Sequence, residues 1–175
     1  MSSVEAARTG RRNPGLPQIT MCHATWGALR VMLLVRHRLR IVGHSKLPKR
    51  PPFVVVANHC SHLDALVLGA ALPWQVCSCA FPIAAGDVFF ETRIASVMSA
   101  TMLNALPMWR HNFGLHAMKD FRDRLVGDPC AFILFPEGGR SRTGEMGQFK
   151  PGLGMLVAGT DVSVYPARIA GAFEC

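Results

Sequence analysis

Two polar clusters hold the residues whose types and spacing could do chemistry. The first, Asn58-His59-Cys60-Ser61-His62-Leu63-Asp64, follows the apolar run Phe53 to Ala57 and leads into another, Ala65 to Leu72. A histidine and a carboxylate at the carboxyl end of a buried strand can act as a general base and its orienting partner. The second cluster, Phe135-Pro136-Glu137-Gly138-Gly139-Arg140-Ser141-Arg142, also closes an apolar run. Its glycines permit close approach of a ligand, and Arg140 and Arg142 can fork onto a phosphate. Two polar clusters capping two strands point to one site.

Spacing decides whether the first pair can meet. His59 lies five positions before Asp64, and five residues of one helix turn about 500°, which points the two side chains apart. They converge if His59 sits in the loop and Asp64 in the first helical turn. Ser61-x-x-Asp64 favours that arrangement, because it has the pattern of a capping box with Ser61 at the N-cap. A plainer reading stays open, in which Asp64 only caps its helix and His59 is a satisfied loop histidine. His59, Cys60 and His62 lack a further cluster to complete a metal site, so no metal is expected. Gly139 to Gly144 mimics a nucleotide-phosphate loop, but Glu145 stands where that loop needs lysine. The plainer reading of this second cluster is a polar turn with solvated arginines.

The positioning elements follow from periodicity. Residues 1–18 read as a disordered basic tail. A helix is expected over 19–37, with His23, Gly27, Arg30 and His37 on a narrow polar stripe and Trp26, Leu29, Val31, Met32 and Leu33 covering the remainder. Such a helix is either an interfacial membrane anchor or simply packed on the domain that follows, residues 38–175. Leu39-Arg40-Ile41-Val42 alternates like a short strand, and residues 43–52 form a connecting loop. Phe53–Ala57 has the all-apolar character of a buried parallel strand. A helix is predicted from Asp64 to Leu72, stopped by Pro73. Val76–Ala84 reads as a strand, which would put Cys77 and Cys79 on one face, and Thr92–Leu103 as a helix. Leu115–Val126 is predicted to be an amphipathic helix with Asp120, Arg122, Asp123 and Arg124 outward. Ala131–Phe135, Gly152–Ala158 and Val162–Ile169 read as strand, helix and strand. Alternating strands and helices indicate an α/β fold.

Composition narrows the setting. The 175 residues are 50% apolar, with a mean hydropathy of +0.23, enough for one sizeable core. No stretch reaches the roughly 18 uninterrupted apolar residues of a membrane-spanning helix, since Arg30, Pro73 and Gly86 interrupt the longest runs. The chain is expected to lie on a membrane rather than cross one. The net charge of +8 is concentrated at the start: residues 1–50 hold ten Lys/Arg and one acid, while residues 51–175 hold nine Lys/Arg and ten acids. Such a leader fits an anionic membrane surface. Nucleic acid is the competing partner and is not expected, because the cations alternate with long aliphatics and Trp26 rather than with a nucleic-acid motif. The six cysteines show no CxxC pair, and no secretory signal pattern opens the chain. Reduced thiols on the cytoplasmic face of a membrane are the expectation.

Four blocks, taken in order, carry a resemblance. They are Asn58-His59-x-Ser61-x-x-Asp64, then Arg110 after Pro107-Met108-Trp109, then Phe135-Pro136-Glu137-Gly138-Gly139-Arg140-Ser141, then Val164-Tyr165-Pro166-Ala167-Arg168-Ile169. Together they resemble the glycerolipid acyltransferases, the lysophosphatidic acid and glycerol-3-phosphate acyltransferases and their relatives, from about Leu39 to Glu174. The first block is complete and, joined to the third, highly specific; the second and fourth are loose. Gly139 replaces a threonine frequent in the family, and Ser163 a proline. The chain ends at Cys175, where members usually continue through further strands and a helix, so a fragment and a minimal version are both open readings.

The resemblance implies a mixed, largely parallel sheet flanked by helices. It also implies transfer of a fatty acyl group from a thioester, acyl-coenzyme A or acyl carrier protein, to a hydroxyl of lysophosphatidic acid or a related glycerophosphate in phospholipid biosynthesis. His59 would be the base and Asp64 would orient it. Arg110, Arg140 and Arg142 would hold the acceptor phosphate, and Glu137 and Gly138 would help place its glycerol part. Lys150 is a further anion-binding candidate of lower rank. No cofactor is implied beyond the donor substrate. Two alternatives stand beside this reading: a thioester hydrolase, against which the arginines argue because water needs no phosphate clamp, and an inactive or truncated lipid-binding relative.

Overall fold

The computed structural model describes residues 15–85, 103–108 and 115–173. Five strands form one sheet: β1 (Phe53–Val56), β2 (Ala80–Ala85), β3 (Leu106–Met108), β4 (Ala131–Leu134) and β5 (Ser163–Pro166), in the order β3-β2-β4-β1-β5. Every pairing among the described residues is parallel. Four helices are described, α1 (Leu16–Arg36), α2 (Asp64–Ala71), α3 (Leu115–Gly127) and α4 (Gly152–Val157).

The sheet divides its side chains by alternation. Phe53 and Val55 of β1 face Leu68 and Leu72 of the α2 segment, together with Ala131, Ile133 and Ile169. Val54 and Val56 face the other way, towards Met118, Phe121 and Leu125 of α3 and Leu156 of α4. Covering both faces explains why β1 is apolar at every position rather than at every second one.

Helix α1 lies outside α2. Pro17, in its first turn, suits a helix start, where the missing N–H costs nothing. Its end is a left-handed turn at Arg38 (φ +50°), with the Leu39 N–H reaching back to the Leu33 carbonyl at 3.1 Å. Cys22, Trp26 and Leu33 form the buried face, and Trp26 sits where a Cβ on Gly69 of α2 would be. The opposite face, about 180° away at 100° per residue, exposes Met21, Val31 and Val35. Helix α1 is therefore packed on the domain and still presents an apolar back. Among the described residues no helix is long and apolar enough to cross a membrane.

Three local expectations differ from the structure. Leu39–Val42 alternates but pairs with no strand among the described residues, and Val42 is 95% exposed. Residues Trp74–Cys79 form a 3-10 segment beginning at Pro73, with the Val76 N–H on the Pro73 carbonyl at 2.9 Å, so the strand starts only at Ala80. Cys77 and Cys79 then donate to carbonyls of that segment instead of sharing a strand face. Arg124 is buried rather than outward: its guanidinium lies 4.2 Å from the centre of the Phe81 ring, and its Nε is 4.0 Å from Asp128 Oδ2. A long side chain at the edge of the buried stripe can lay its stem on the core and its cation on an aromatic face. The helix expected over Thr92–Leu103 falls, except for its last residue, outside the described residues.

Candidate active site

Register brings the polar clusters together. Val56 of β1 is level with Leu134 of β4 on one side and Pro166 of β5 on the other. The three strands therefore release their chains side by side, at residues 57, 135 and 167. This is the carboxyl end of a parallel sheet, where α/β folds place their ligands. The exits are then stitched to one another. Asn58 donates from Nδ2 to the Ile169 carbonyl at 3.0 Å and accepts the Ile169 N–H on Oδ1 at 2.8 Å. The His59 N–H donates to Glu137 Oε1 at 2.7 Å, and the His59 carbonyl accepts the Ser141 N–H at 2.7 Å. Both backbone groups of His59 are thus tied to the second cluster.

The side chains of His59 and Asp64 meet. Nδ1 of His59 lies 2.9 Å from Oδ2 of Asp64. The same oxygen accepts the N–H groups of Cys60, at 2.6 Å, and Ser61, at 2.8 Å. Asp64 opens α2, so the loop–helix arrangement inferred from Ser61-x-x-Asp64 is the one formed. The capping box is only half made, however. Asp64 reaches back to the Ser61 N–H, while the Ser61 hydroxyl accepts from Leu63 at 3.3 Å. The N-cap is Leu63 rather than Ser61 and no side chain caps the helix, so Asp64 holds the histidine and the loop before it instead of the helix's own N–H groups.

Electrostatics set the tautomer. Burial pushes the Asp64 carboxyl up, but the hydrogen bonds from His59, Ser61 and Cys60 outweigh it, and the group sits below the usual carboxylate range. An ionised carboxylate only accepts, so the proton of neutral His59 belongs on Nδ1, leaving Nε2 as the basic nitrogen. The ring is stacked on Phe135 (centroids 4.1 Å apart, 17° between planes). The His59 side chain keeps 21% exposure and Asp64 none. The imidazole is reachable from outside and the carboxylate is sealed behind it.

The second cluster forms the adjoining wall. Gly138 adopts φ +69° and its N–H bonds to the Phe135 carbonyl at 3.0 Å, closing a turn that favours glycine. Glu137 is buried and commits both oxygens to backbone donors, Oε1 to His59 and Oε2 to the Gly147 N–H at 2.9 Å. Arg140 and Arg142 are exposed on the segment bonded to His59, and no described residue pairs with either guanidinium. Gly139 has open space where a Cβ would stand, so the threonine common in relatives would fit there. Arg110 lies outside the described residues. A cavity of about 550 Å³ lined by Pro52, Arg122, Asp161 and Val162 opens at the amino ends of β1 and β5, away from these side chains.

Sequence reasoning gave Asn58 and Gly147 no role. The signal for Asn58 was its place between strand and histidine, where an amide can imitate a strand's pairing groups. Nothing in the local sequence marks Gly147, because its partner lies ten residues back.

The acyltransferase family profile matches residues 38–170, a span that contains both clusters. The chain belongs to the acyltransferase family. Among curated proteins it is 27% identical over 143 residues to 1-acyl-sn-glycerol-3-phosphate acyltransferase alpha of Homo sapiens, covering 79% of this chain and 49% of that protein. It is 30% identical over 141 residues to the chloroplastic 1-acyl-sn-glycerol-3-phosphate acyltransferase LPAT1 of Arabidopsis thaliana, covering 77% of this chain and 36% of that protein. The chain thus spans about half the length, or less, of those relatives. The crystal structure of the 1-acyl-sn-glycerophosphate (LPA) acyltransferase PlsC from Thermotoga maritima superimposes with a TM-score of 0.60 at 24% identity, over 89% of this chain and 58% of that one. That likeness establishes the fold. The α/β acyltransferase architecture expected from the four blocks is the one observed.

Proposed function

We propose that this acyltransferase moves a fatty acyl group from a thioester, acyl-coenzyme A or acyl carrier protein, to a hydroxyl of lysophosphatidic acid or a related glycerophosphate, in phospholipid biosynthesis. One observation carries the proposal: a histidine whose Nδ1 is held at 2.9 Å by a fully buried carboxylate, at the strand exits of a family member. His59 Nε2 takes the acceptor's hydroxyl proton as that oxygen attacks the thioester carbonyl. Asp64 keeps the imidazole aligned and stabilises the imidazolium. The tetrahedral adduct then collapses, the carbon–sulfur bond breaks, and the leaving thiolate takes the proton back from His59. The ester and the free thiol are the products, and no metal, cofactor or covalent enzyme intermediate is needed.

Positioned general-base catalysis typically supplies about 10²–10⁴-fold. Holding the two substrates together adds more. Arg140 and Arg142, exposed beside the His59 loop, are assigned to the acceptor's phosphate with Arg110 as a further contributor, and Gly138 to close approach of the glycerol part. Glu137 is assigned a positioning role, since both its oxygens already hold backbone donors.

The apolar back of α1, with Met21, Val31 and Val35 exposed, together with the basic first fifty residues, fits peripheral docking on an anionic bilayer at the cytoplasmic face. Each cation near such a surface contributes about 1 kcal/mol.

The deciding experiment incubates the purified protein with lysophosphatidic acid and each donor type and follows product mass and free thiol. Phosphatidic acid formed in step with thiol is expected. Thiol released equally without acceptor makes the protein a thioester hydrolase instead, and no turnover with any glycerophosphate removes the proposal.

A further inference from the structure

The second cluster does not end its cationic character at Arg142. Residues 138–150 carry Arg140, Arg142 and Lys150 against one acid, Glu145. The Lys150 N–H donates to the Pro136 carbonyl at 2.8 Å, which folds the loop back onto its own start. Its side chain lies across Gly138. A Cβ built on that glycine would stand 2.8 Å from Lys150 Cδ, 3.1 Å from Cε and 3.2 Å from Nζ. The glycine is favoured by φ +69°, and its missing side chain leaves the room in which the lysine stem lies.

A solvated lysine gains nothing from lying on a turn, because ordering it costs side-chain entropy of up to about 2 kcal/mol. Lys150 is exposed with its stem across the turn, and no described residue pairs with its ammonium. The nearest carboxylate in sequence to Gly138, Glu137, has given both oxygens to backbone N–H groups. The turn beneath the ammonium is the one whose glutamate holds the His59 N–H. An uncompensated, exposed cation thus lies at the edge of the proposed reaction centre, over a glycine two residues before Arg140.

We propose that Lys150 is a substrate-binding residue that receives a phosphate monoester, acting as a compact point charge beside the planar fork of Arg140. This inference rests on the acyl-transfer reading. Either substrate could bring the phosphate: the acceptor's glycerol phosphate, or the phosphates of a coenzyme A donor.

The test compares Lys150→Met, which keeps the stem on Gly138 and removes the charge, with Lys150→Arg, which restores a cation. Unchanged melting curves establish that both fold. One arm varies lysophosphatidic acid, with uncharged monoacylglycerol as control, at saturating donor. The other varies acyl-coenzyme A, with the phosphate-free thioester acyl-N-acetylcysteamine as control, at saturating acceptor. K150M should raise KM for one phosphorylated substrate about tenfold, the low end for a hydrogen bond to a charged group, with kcat within about twofold. The uncharged control should not move, and K150R should recover most of the loss. The arm that shifts identifies which phosphate is bound. If both KM values stay at the wild-type level, the assignment of Lys150 is overturned. Absence of turnover in the wild type would defeat the acyl-transfer reading separately. Calorimetric titration of inorganic phosphate then decides for the lysine alone: weakened binding in K150M supports it and unchanged binding overturns it.

Discussion

Replacing Asp64 by asparagine tests the proposed reaction centre most directly. The Asp64 oxygen Oδ2 accepts three N–H donors, from His59, Cys60 and Ser61, while Oδ1 is buried with no partner among the described residues. If the asparagine oxygen takes the Oδ2 place, the three bonds survive without their charge, but the NH₂ group enters the unpartnered Oδ1 site. An unsatisfied buried donor costs about 1–3 kcal/mol. If the amide turns over, its NH₂ confronts three donors, and His59 must move its proton to Nε2 and stop being a base. Either way kcat should fall by about 10²–10⁴-fold, with KM for both substrates little changed. The pH dependence of stability gives a second readout. The native Asp64 carboxyl lies below its ordinary value of about 4, so its contribution is fully present above that value and is lost as pH falls through the lower native one. The variant lacks this slope, and the stability gap between the two proteins should narrow on acidification. Single-turnover kinetics and chemical denaturation from pH 7 downwards measure both effects. A variant retaining kcat within about twofold, or a gap that widens in acid, would refute the orienting role.

Two further outcomes concern helix α1. Gly69→Ala places a methyl in the space of the Trp26 indole; overpacking of this kind costs about 1–3 kcal/mol, and urea unfolding should show it, whereas unchanged stability would mean that α1 is not docked through Trp26. The double variant Val31→Glu/Val35→Glu alters only the exposed back of that helix, so melting should hold while co-sedimentation with phosphatidylglycerol vesicles drops several-fold; undiminished sedimentation would leave binding to the basic leader alone.

Much of the fold was legible because burial leaves long-range marks in composition. Phe53–Ala57 and Ala131–Phe135 are apolar on both faces, which only a strand covered from both sides requires. The meeting of His59 and Asp64 was legible for a local reason: Ser61-x-x-Asp64 specifies a loop followed by a first helical turn. What escaped was decided by neighbours. Residues 74–79 have a strand's composition, yet Pro73 begins a 3-10 segment there. Leu39–Val42 alternates correctly but finds no strand to pair with among the described residues. Arg124 is charged, and its burial depends on Phe81, which no helical periodicity contains. The use of Glu137 as a clamp on two backbone donors depends on loops that approach only in three dimensions.

The pairing of Asn58 with Ile169 spans 111 positions, and this fixes when the proposed reaction centre can exist. A ribosome adding roughly 5–20 residues per second needs about 5–20 s between the two. Until Ala131–Leu134 has been made β1 has neither of its partners, and β5 comes later still. The nascent Phe-Val-Val-Val segment is uncharged, β-branched and unshielded, the composition that most readily pairs with a copy of itself. The geometry that aligns histidine and carboxylate thus leaves the chain most vulnerable before it is finished, and a holdase bound to β1 would be of most use then.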